Sequence, residues 1–167
     1  MVISIHKGDF MEIKIVMTDK NNQDFIALTQ LLDKELHSIH GEHQNHYDKF
    51  NTLEHISDAV VLYDGKIPVA CGALREYDKT TVEIKRVYVI PEYRRLKLGY
   101  KIMTILEDTG RAKGYTLAIL ETSDKLVAAL KLYKELGYVE SKNMRSGECG
   151  LWMKKSFDII SYKILPH

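Results

Sequence analysis

Three basic side chains crowd ahead of a glycine in Arg94-Arg95-Leu96-Lys97-Leu98-Gly99. The apolar residues Leu98, Ile102, Ile105 and Leu106 then recur at helical spacing, so a helix begins where the basic run ends. The first turn of a helix leaves backbone N–H groups unsatisfied, and the helix dipole makes that end an anion site. Arginine and lysine charges beside it, with Gly99 allowing close backbone approach, would suit a pyrophosphate. A solvated basic turn before an ordinary helix is the competing reading of the same residues. A second concentration of chemistry-bearing residues is His37, His40, His43 and His46, with Glu35, Glu42, Asp48 and His55 nearby. Imidazole with carboxylate is zinc-like ligation. However, Gly41 interrupts any helix there, and residues stepping by three drift around its axis. The run reads as a solvated polar segment, and no metal is expected.

The elements that must position these groups follow from patterning. Residues 81–90 are rich in β-branched side chains and read as a central strand. Pro91 ends its ladder, Pro91-Glu92-Tyr93 turns, and Lys113-Gly114 closes the helix after the basic loop. Upstream, residues 11–17 alternate as a first strand, with 1–10 a loose extension. Residues 19–24 are a polar turn and helix cap. Phe25, Leu28, Leu31, Leu32 and Leu36 mark an amphipathic helix ending near His40-Gly41, and 44–56 hold a short second helix. Residues 59–63 and 66–75 flank the hairpin signal Asp64-Gly65. Downstream, 115–121 is a strand, Ser123 or Asp124 caps a helix over 125–136, and 138–141 and 150–154 are the last strands. The tail, 156–167, has no assignable element. This order implies an α/β fold: one domain over 1–167 with a mixed sheet and helices on both faces.

A 167-residue chain falls in the one-domain range. Its net charge of +1 argues against a general nucleic-acid or membrane-surface binder, so any positive charge that matters is local. No apolar run approaches a membrane span or a signal-peptide core, and Cys71 and Cys149 form no disulfide framework. Reduced thiols and a cytoplasmic location are the default expectation.

The segment Ile90-Pro91-Glu92-Tyr93-Arg94-Arg95-Leu96-Lys97-Leu98-Gly99 resembles the acyl-CoA-binding signature of the GNAT N-acetyltransferase superfamily, Arg/Gln-x-x-Gly-x-Gly/Ala. Arg94 takes its first position and Gly99 its last, while Lys97 stands where the family usually has its first Gly. Leu132-Tyr133-Lys134-Glu135-Leu136-Gly137-Tyr138 resembles the second hallmark, and Ala70-Cys71-Gly72-Ala73-Leu74 the strand before the cofactor strand. The resemblance covers 57–155 and implies a mostly antiparallel sheet of about seven strands, whose central pair splays at a bulge to admit the acyl-pantetheine arm.

It further implies acetyl-CoA as acyl donor, held by Arg94, Arg95, Lys97, Leu98, Gly99 and Tyr100. Val87, Tyr88 and Val89 would pair with the pantetheine amides and aim an N–H at the acyl oxygen. Tyr133 would donate a proton or hydrogen bond to the departing sulfur. Leu126 stands where the family often has Asn or Gln, so one contact to the arm is missing. An alkyl amine is mostly ammonium at neutral pH and must lose a proton before attacking. Glu83 in the central strand and Glu121 at the end of the next are the candidate bases. Glu83 also reads as an ion-pair partner of neighbouring Lys85 and Arg86, and Glu121 as a solvent-facing strand end. The histidine region would line the acceptor side. The implied activity is acetyl transfer to a small-molecule or peptide amine, with a homodimer by family habit. The altered signature keeps open a non-catalytic acyl-CoA-binding or sensing module, and a protein-interaction domain without cofactor. The acceptor itself is not legible.

Overall fold

The β-branched runs of the chain all end in one sheet. A computed structural model describes residues 1–7, 9–48, 51–141 and 150–157. Its strands are β1 (Val2–Lys7), β2 (Asp9–Thr18), β3 (Ile56–Asp64), β4 (Ile67–Glu76), β5 (Thr81–Val89), β6 (Leu117–Thr122), β7 (Val139–Ser141) and β8 (Leu151–Ser156). They lie in the order β1-β2-β3-β4-β5-β6-β8-β7, antiparallel except for the parallel pair β5–β6. Helices α1 (Gln23–His40) and α3 (Leu98–Ala112) cover opposite faces; α2 (Gln44–Asp48) and α4 (Val127–Glu135) follow α1 and β6.

Each face has its own core. Phe25 and Leu28 of α1 pack on Ala59, Val61, Cys71 and Ala73. Leu98, Ile102, Met103 and Leu106 of α3 pack on Val60, Leu62, Leu74 and Val82, joined by Tyr133 of α4 and Tyr138. Because β3, β4 and β5 are covered on both sides, they are buried almost along their length, which explains their near-continuous apolar sequence.

The centre of the sheet contains a β-bulge. Cys71 pairs with Tyr88, but Ala73 pairs with Lys85, so Gly72 opposes both Arg86 and Val87. Arg86 carries the extra residue's backbone, with φ at +59°. Just before this point β5 leaves β6: their pairing stops at Glu83 opposite Ile119. That is the expected splay. At the same place α3 lies directly on β4, because a Cβ on Gly72 would sit 2.5 Å from Ile102 Cγ2 and 2.9 Å from Leu106 Cδ1.

Several boundaries differ from the sequence reading. Residues 2–7, expected as part of a loose extension, form β1 and pair with β2, so an eighth strand joins the expected seven. The helix after β6 starts at Val127 behind Leu126, not behind a Ser123 or Asp124 cap; the Ser123 hydroxyl instead accepts from the Lys125 N–H at 3.2 Å. Ser156 belongs to β8 and Phe157 is buried against the α3 face, so the unplaced tail begins later than expected; its remainder, like Cys149, lies outside the described residues. The caps of α1 are as the sequence implies. The Asn22 side chain accepts from the Phe25 N–H, and Gly41 ends the helix at φ +59°.

Replacing Gly72 by valine forces β4 and α3 apart at a closely packed contact. We expect a loss of about 1–3 kcal/mol of unfolding free energy, read as a lower urea midpoint with an unchanged slope.

Candidate active site

The basic loop after β5 is built by backbone geometry that its sequence does not favour. A 3₁₀ turn at Pro91–Tyr93 is pinned by the Tyr93 hydroxyl on Asp64 Oδ2 at 2.6 Å. Arg95 and Lys97 then both take left-handed conformations, with φ of +64° and +59°. Lys97 thus keeps the backbone shape a glycine would take at no steric cost. It directly precedes α3 and its side chain does not cap the helix. The first backbone bond of the helix is Lys101 N–H to the Lys97 carbonyl, so the amides of Leu98, Gly99 and Tyr100 precede the first helical turn's closure. At Gly99 the packing is close: a Cβ there would meet Leu132 Cδ2 of α4 at 3.2 Å, so that side chain would have to give way slightly.

These residues border a cleft of about 1090 Å³. On it the structure gathers Val87, Tyr88 and Val89 of β5, the loop side chains Arg94, Arg95 and Lys97, the α3 start at Leu98, Gly99 and Tyr100, and Tyr133 of α4. Every residue expected to hold the cofactor is therefore on one surface. Arg94 already has partners there. Its Nη2 donates to both carboxylate oxygens of Glu35, at 2.9 and 2.7 Å, and its Nε donates to the Val89 carbonyl at 3.0 Å.

A smaller pocket of about 120 Å³ opens between β5 and β6 where the strands part. Leu32, Leu36, Val87, Leu126 and Tyr133 line both it and the cleft, so the two meet around Tyr133. Burial pushes the Tyr133 phenol up to about 12, so it stays protonated through the neutral range. Its ring makes an edge contact with Tyr138, centroids 6.1 Å apart.

Both candidate carboxylates line this pocket, in different states. Glu83 is fully buried, with Oε2 on Arg75 Nη2 at 2.9 Å and Oε1 on Lys85 Nζ at 3.1 Å. The expected ion pair with Lys85 is present; Arg86, the other expected partner, turns instead to Asp33 at 2.8 Å and the Thr29 carbonyl at 2.8 Å. Glu121 is not a solvent-facing strand end: its side chain lies under Gly150, where a Cβ would fall 1.8 Å from Oε1.

The histidine run disperses. His37 bonds the Asp33 carbonyl at 2.8 Å, which raises its pKa, and Asp48 at 3.1 Å adds to the effect. His40 turns into the inner pocket. His43 is exposed, and the His46 side chain lies outside the described set. Among the described residues no three His, Cys, Asp or Glu are grouped to hold a metal. Sequence reasoning did not find His40 with Ser123, 83 residues away, or with Gln44, four residues away in the polar segment, nor Glu35 on Arg94, 59 residues away.

Comparison with known proteins gives this geometry a context. The acetyltransferase (GNAT) family model matches residues 25–138. An uncharacterised N-acetyltransferase of Schizosaccharomyces pombe is 41% identical over 56 residues; the match covers 34% of this chain and 34% of that protein, so the chain aligns with about a third of that relative. An IAA acetyltransferase of Azospirillum brasilense is 28% identical over 118 residues, 69% of this chain and 76% of that one. Among solved structures, a PaiA N-acetyltransferase from Thermoplasma acidophilum in complex with coenzyme A superposes with a TM-score of 0.67. At 15% identity, over 87% of this chain and 99% of that one, it shows likeness of fold.

Two outcomes test the loop. Lys97→Gly removes left-handed strain and should raise stability by about 0.5–1 kcal/mol, the strain relief exceeding the added freedom of the unfolded chain. Denaturant titration reads this, and acetyl-CoA affinity should change less than about threefold if backbone amides carry the contact. Glu35→Gln frees Arg94 and removes a negative charge from the cleft rim. Calorimetry should show acetyl-CoA binding about threefold tighter, within the range of an exposed ion pair.

Proposed function

The chain belongs to the GNAT acetyltransferase family, and from that premise we propose that it transfers an acetyl group from acetyl-CoA to a primary amine by direct attack within a ternary complex. The observation that carries this reading is the junction of two spaces at Tyr133: a large cleft with a basic, amide-rich rim, and a small pocket between the parted strands. The pyrophosphate lies on the α3 amides with Arg94, Arg95 and Lys97 around it. The pantetheine arm runs along the open edge of β5 at Val87–Val89, where a β6 strand would otherwise pair, and delivers the thioester to Tyr133.

The acceptor enters the inner pocket and loses a proton. The neutral nitrogen attacks the carbonyl carbon, whose oxygen takes negative charge and is stabilised by a β5 N–H. The C–N bond forms, the C–S bond breaks, and the nitrogen's second proton passes to the sulfur. Tyr133, held neutral by burial, donates a hydrogen bond to the departing thiolate; with its phenol near 12, such donation suits it better than full proton release. Glu83 has both oxygens engaged by Arg75 and Lys85, and so acts on the pocket's field rather than as its free base. The pocket volume, about 120 Å³, suits a small amine or the end of a peptide better than a bulky polycation.

Calorimetric titration of acetyl-CoA, with an Arg94→Ala/Gly99→Glu variant beside it, tests the site. Micromolar binding that the variant loses, followed by thiol release with one or more amines in a screen, is the expected result. Tight binding with no turnover of any amine would favour a sensing module, and no binding by the wild type would sink the enzyme reading.

A further inference from the structure

The acyltransferase reading leaves open which group takes the acceptor's proton, and the network at the end of α1 answers it. His40 is the last residue of α1, where Gly41 reverses the chain into a 3₁₀ turn and then α2. Its Nδ1 lies 3.1 Å from Gln44 Oε1 and its Nε2 lies 3.0 Å from Ser123 Oγ. Gln44 is almost wholly buried, and its Nε2 donates to Asp48 Oδ1 at 3.1 Å.

The orientation of this chain follows from donor and acceptor inventory. A carboxylate only accepts, so the Gln44 amide must turn its NH₂ to Asp48 and its oxygen to His40. An amide oxygen also only accepts, so Nδ1 of His40 must carry the ring hydrogen. The neutral ring therefore presents an unprotonated Nε2 toward Ser123 and the inner pocket, which His40, Ser123 and Gln44 all line. Ser123 accepts from the Lys125 N–H, and its hydroxyl hydrogen faces two acceptors, His40 Nε2 at 3.0 Å and Asp124 Oδ1 at 3.4 Å, of which Nε2 is the nearer. Imidazole is the side chain whose charge changes near neutral pH, which suits it to take a proton there and return it to water.

We propose that His40, fixed in one tautomer by Gln44 and Asp48, is the general base of the acyltransferase, receiving the acceptor ammonium's proton through the Ser123 hydroxyl. Ser123 passes its hydrogen to Nε2 as it takes one from R–NH₃⁺, leaving R–NH₂ and an imidazolium. The amine attacks the thioester, and its second proton leaves on the sulfur. The imidazolium then gives its proton to solvent, so the sum is R–NH₃⁺ and acetyl-CoA to the acetamide, CoA–SH and H⁺. The inference rests on the acyltransferase reading and assigns that reaction's base.

The test compares His40→Gln with wild type on two acceptors: an alkyl amine turned over by the wild type, and hydroxylamine, already neutral at pH 7.5. The variant should lose alkyl-amine turnover by about a hundredfold or more, while binding acetyl-CoA with unchanged affinity and acetylating hydroxylamine within a few-fold of wild type. Gln44→Met, which removes the acceptor that sets the tautomer, should show the same acceptor-dependent split at smaller amplitude. Equal loss on both acceptors in both variants, or no loss on either, overturns the assignment of His40. A wild type that binds acetyl-CoA but acetylates neither hydroxylamine nor any alkyl amine of the screen overturns the acyltransferase reading and this inference with it, and is told apart because the variants then play no part in the result.

Discussion

The geometry at the centre of the sheet turns on one strained residue. Arg86 sits in the bulge of β5 with a left-handed backbone, a conformation that costs an L-residue roughly 1–2 kcal/mol. It persists because its surroundings over-determine it. Its guanidinium bonds the Thr29 carbonyl and the Asp33 carboxylate of α1, and its own carbonyl accepts from the Cys71 thiol at 3.3 Å. Burial pushes that thiol to about 12, which makes it an inert donor rather than a nucleophile. The strain is a local distortion held by contacts made elsewhere. By this point β5 has parted from β6, whose pairing ends at Glu83, and Arg86 lines the inner pocket between them.

The same helix that holds the bulge builds the walls around it. Thr29 and Asp33, one turn apart, face Arg86, while Leu32, Leu36 and His40 line the inner pocket along the adjoining stripe. Glu35 reaches the other way to Arg94 at the rim of the cleft. One amphipathic helix therefore couples strand geometry, the acceptor side and the cofactor side. Loss of α1 packing through Phe25 and Leu28 would disturb all three together. The Arg94–Glu35 pair also shows that the rim does not wait as a bare cation cluster. A pyrophosphate bound there, as proposed, would compete with a carboxylate, so the rim's charge would not translate fully into affinity.

The difference between what was legible in the sequence and what was not follows contact distance along the chain. The basic loop, its turn at Pro91 and the helix beginning at Leu98 are contiguous, and local patterning was enough to place them on one surface. Lys97 looked like a break in the pattern because its side chain differs. The backbone it adopts is left-handed, a shape glycine takes without steric cost, and residue type does not reveal that. The strand made by residues 2–7 was missed for another reason: it pairs with β2 at the sheet edge, where a weak local signal suffices. Leu126 before α4 was missed because Ser123, the better cap by type, spends its oxygen on Lys125 N–H and its hydroxyl on His40 and Asp124.

The inner pocket was legible only in pieces, Glu83, Glu121 and the histidine region, because no stretch of it is local. His40, Glu83, Glu121 and Ser123 come from α1, β5, β6 and the turn after it, and they meet only because the strands part. The periodic histidines invited a shared purpose, yet each answers to different neighbours: His37 to Asp33 and Asp48, His40 to Gln44 and Ser123. Glu83, by contrast, carried its paired state in its own strand, since Lys85 lies two residues on and shares its face. A carboxylate flanked by cations at strand spacing is bound before any substrate arrives. Spacing along one element can thus indicate which charges are already spent. The group left to exchange a proton is identified only by the bonds that set its tautomer, and those cross the fold.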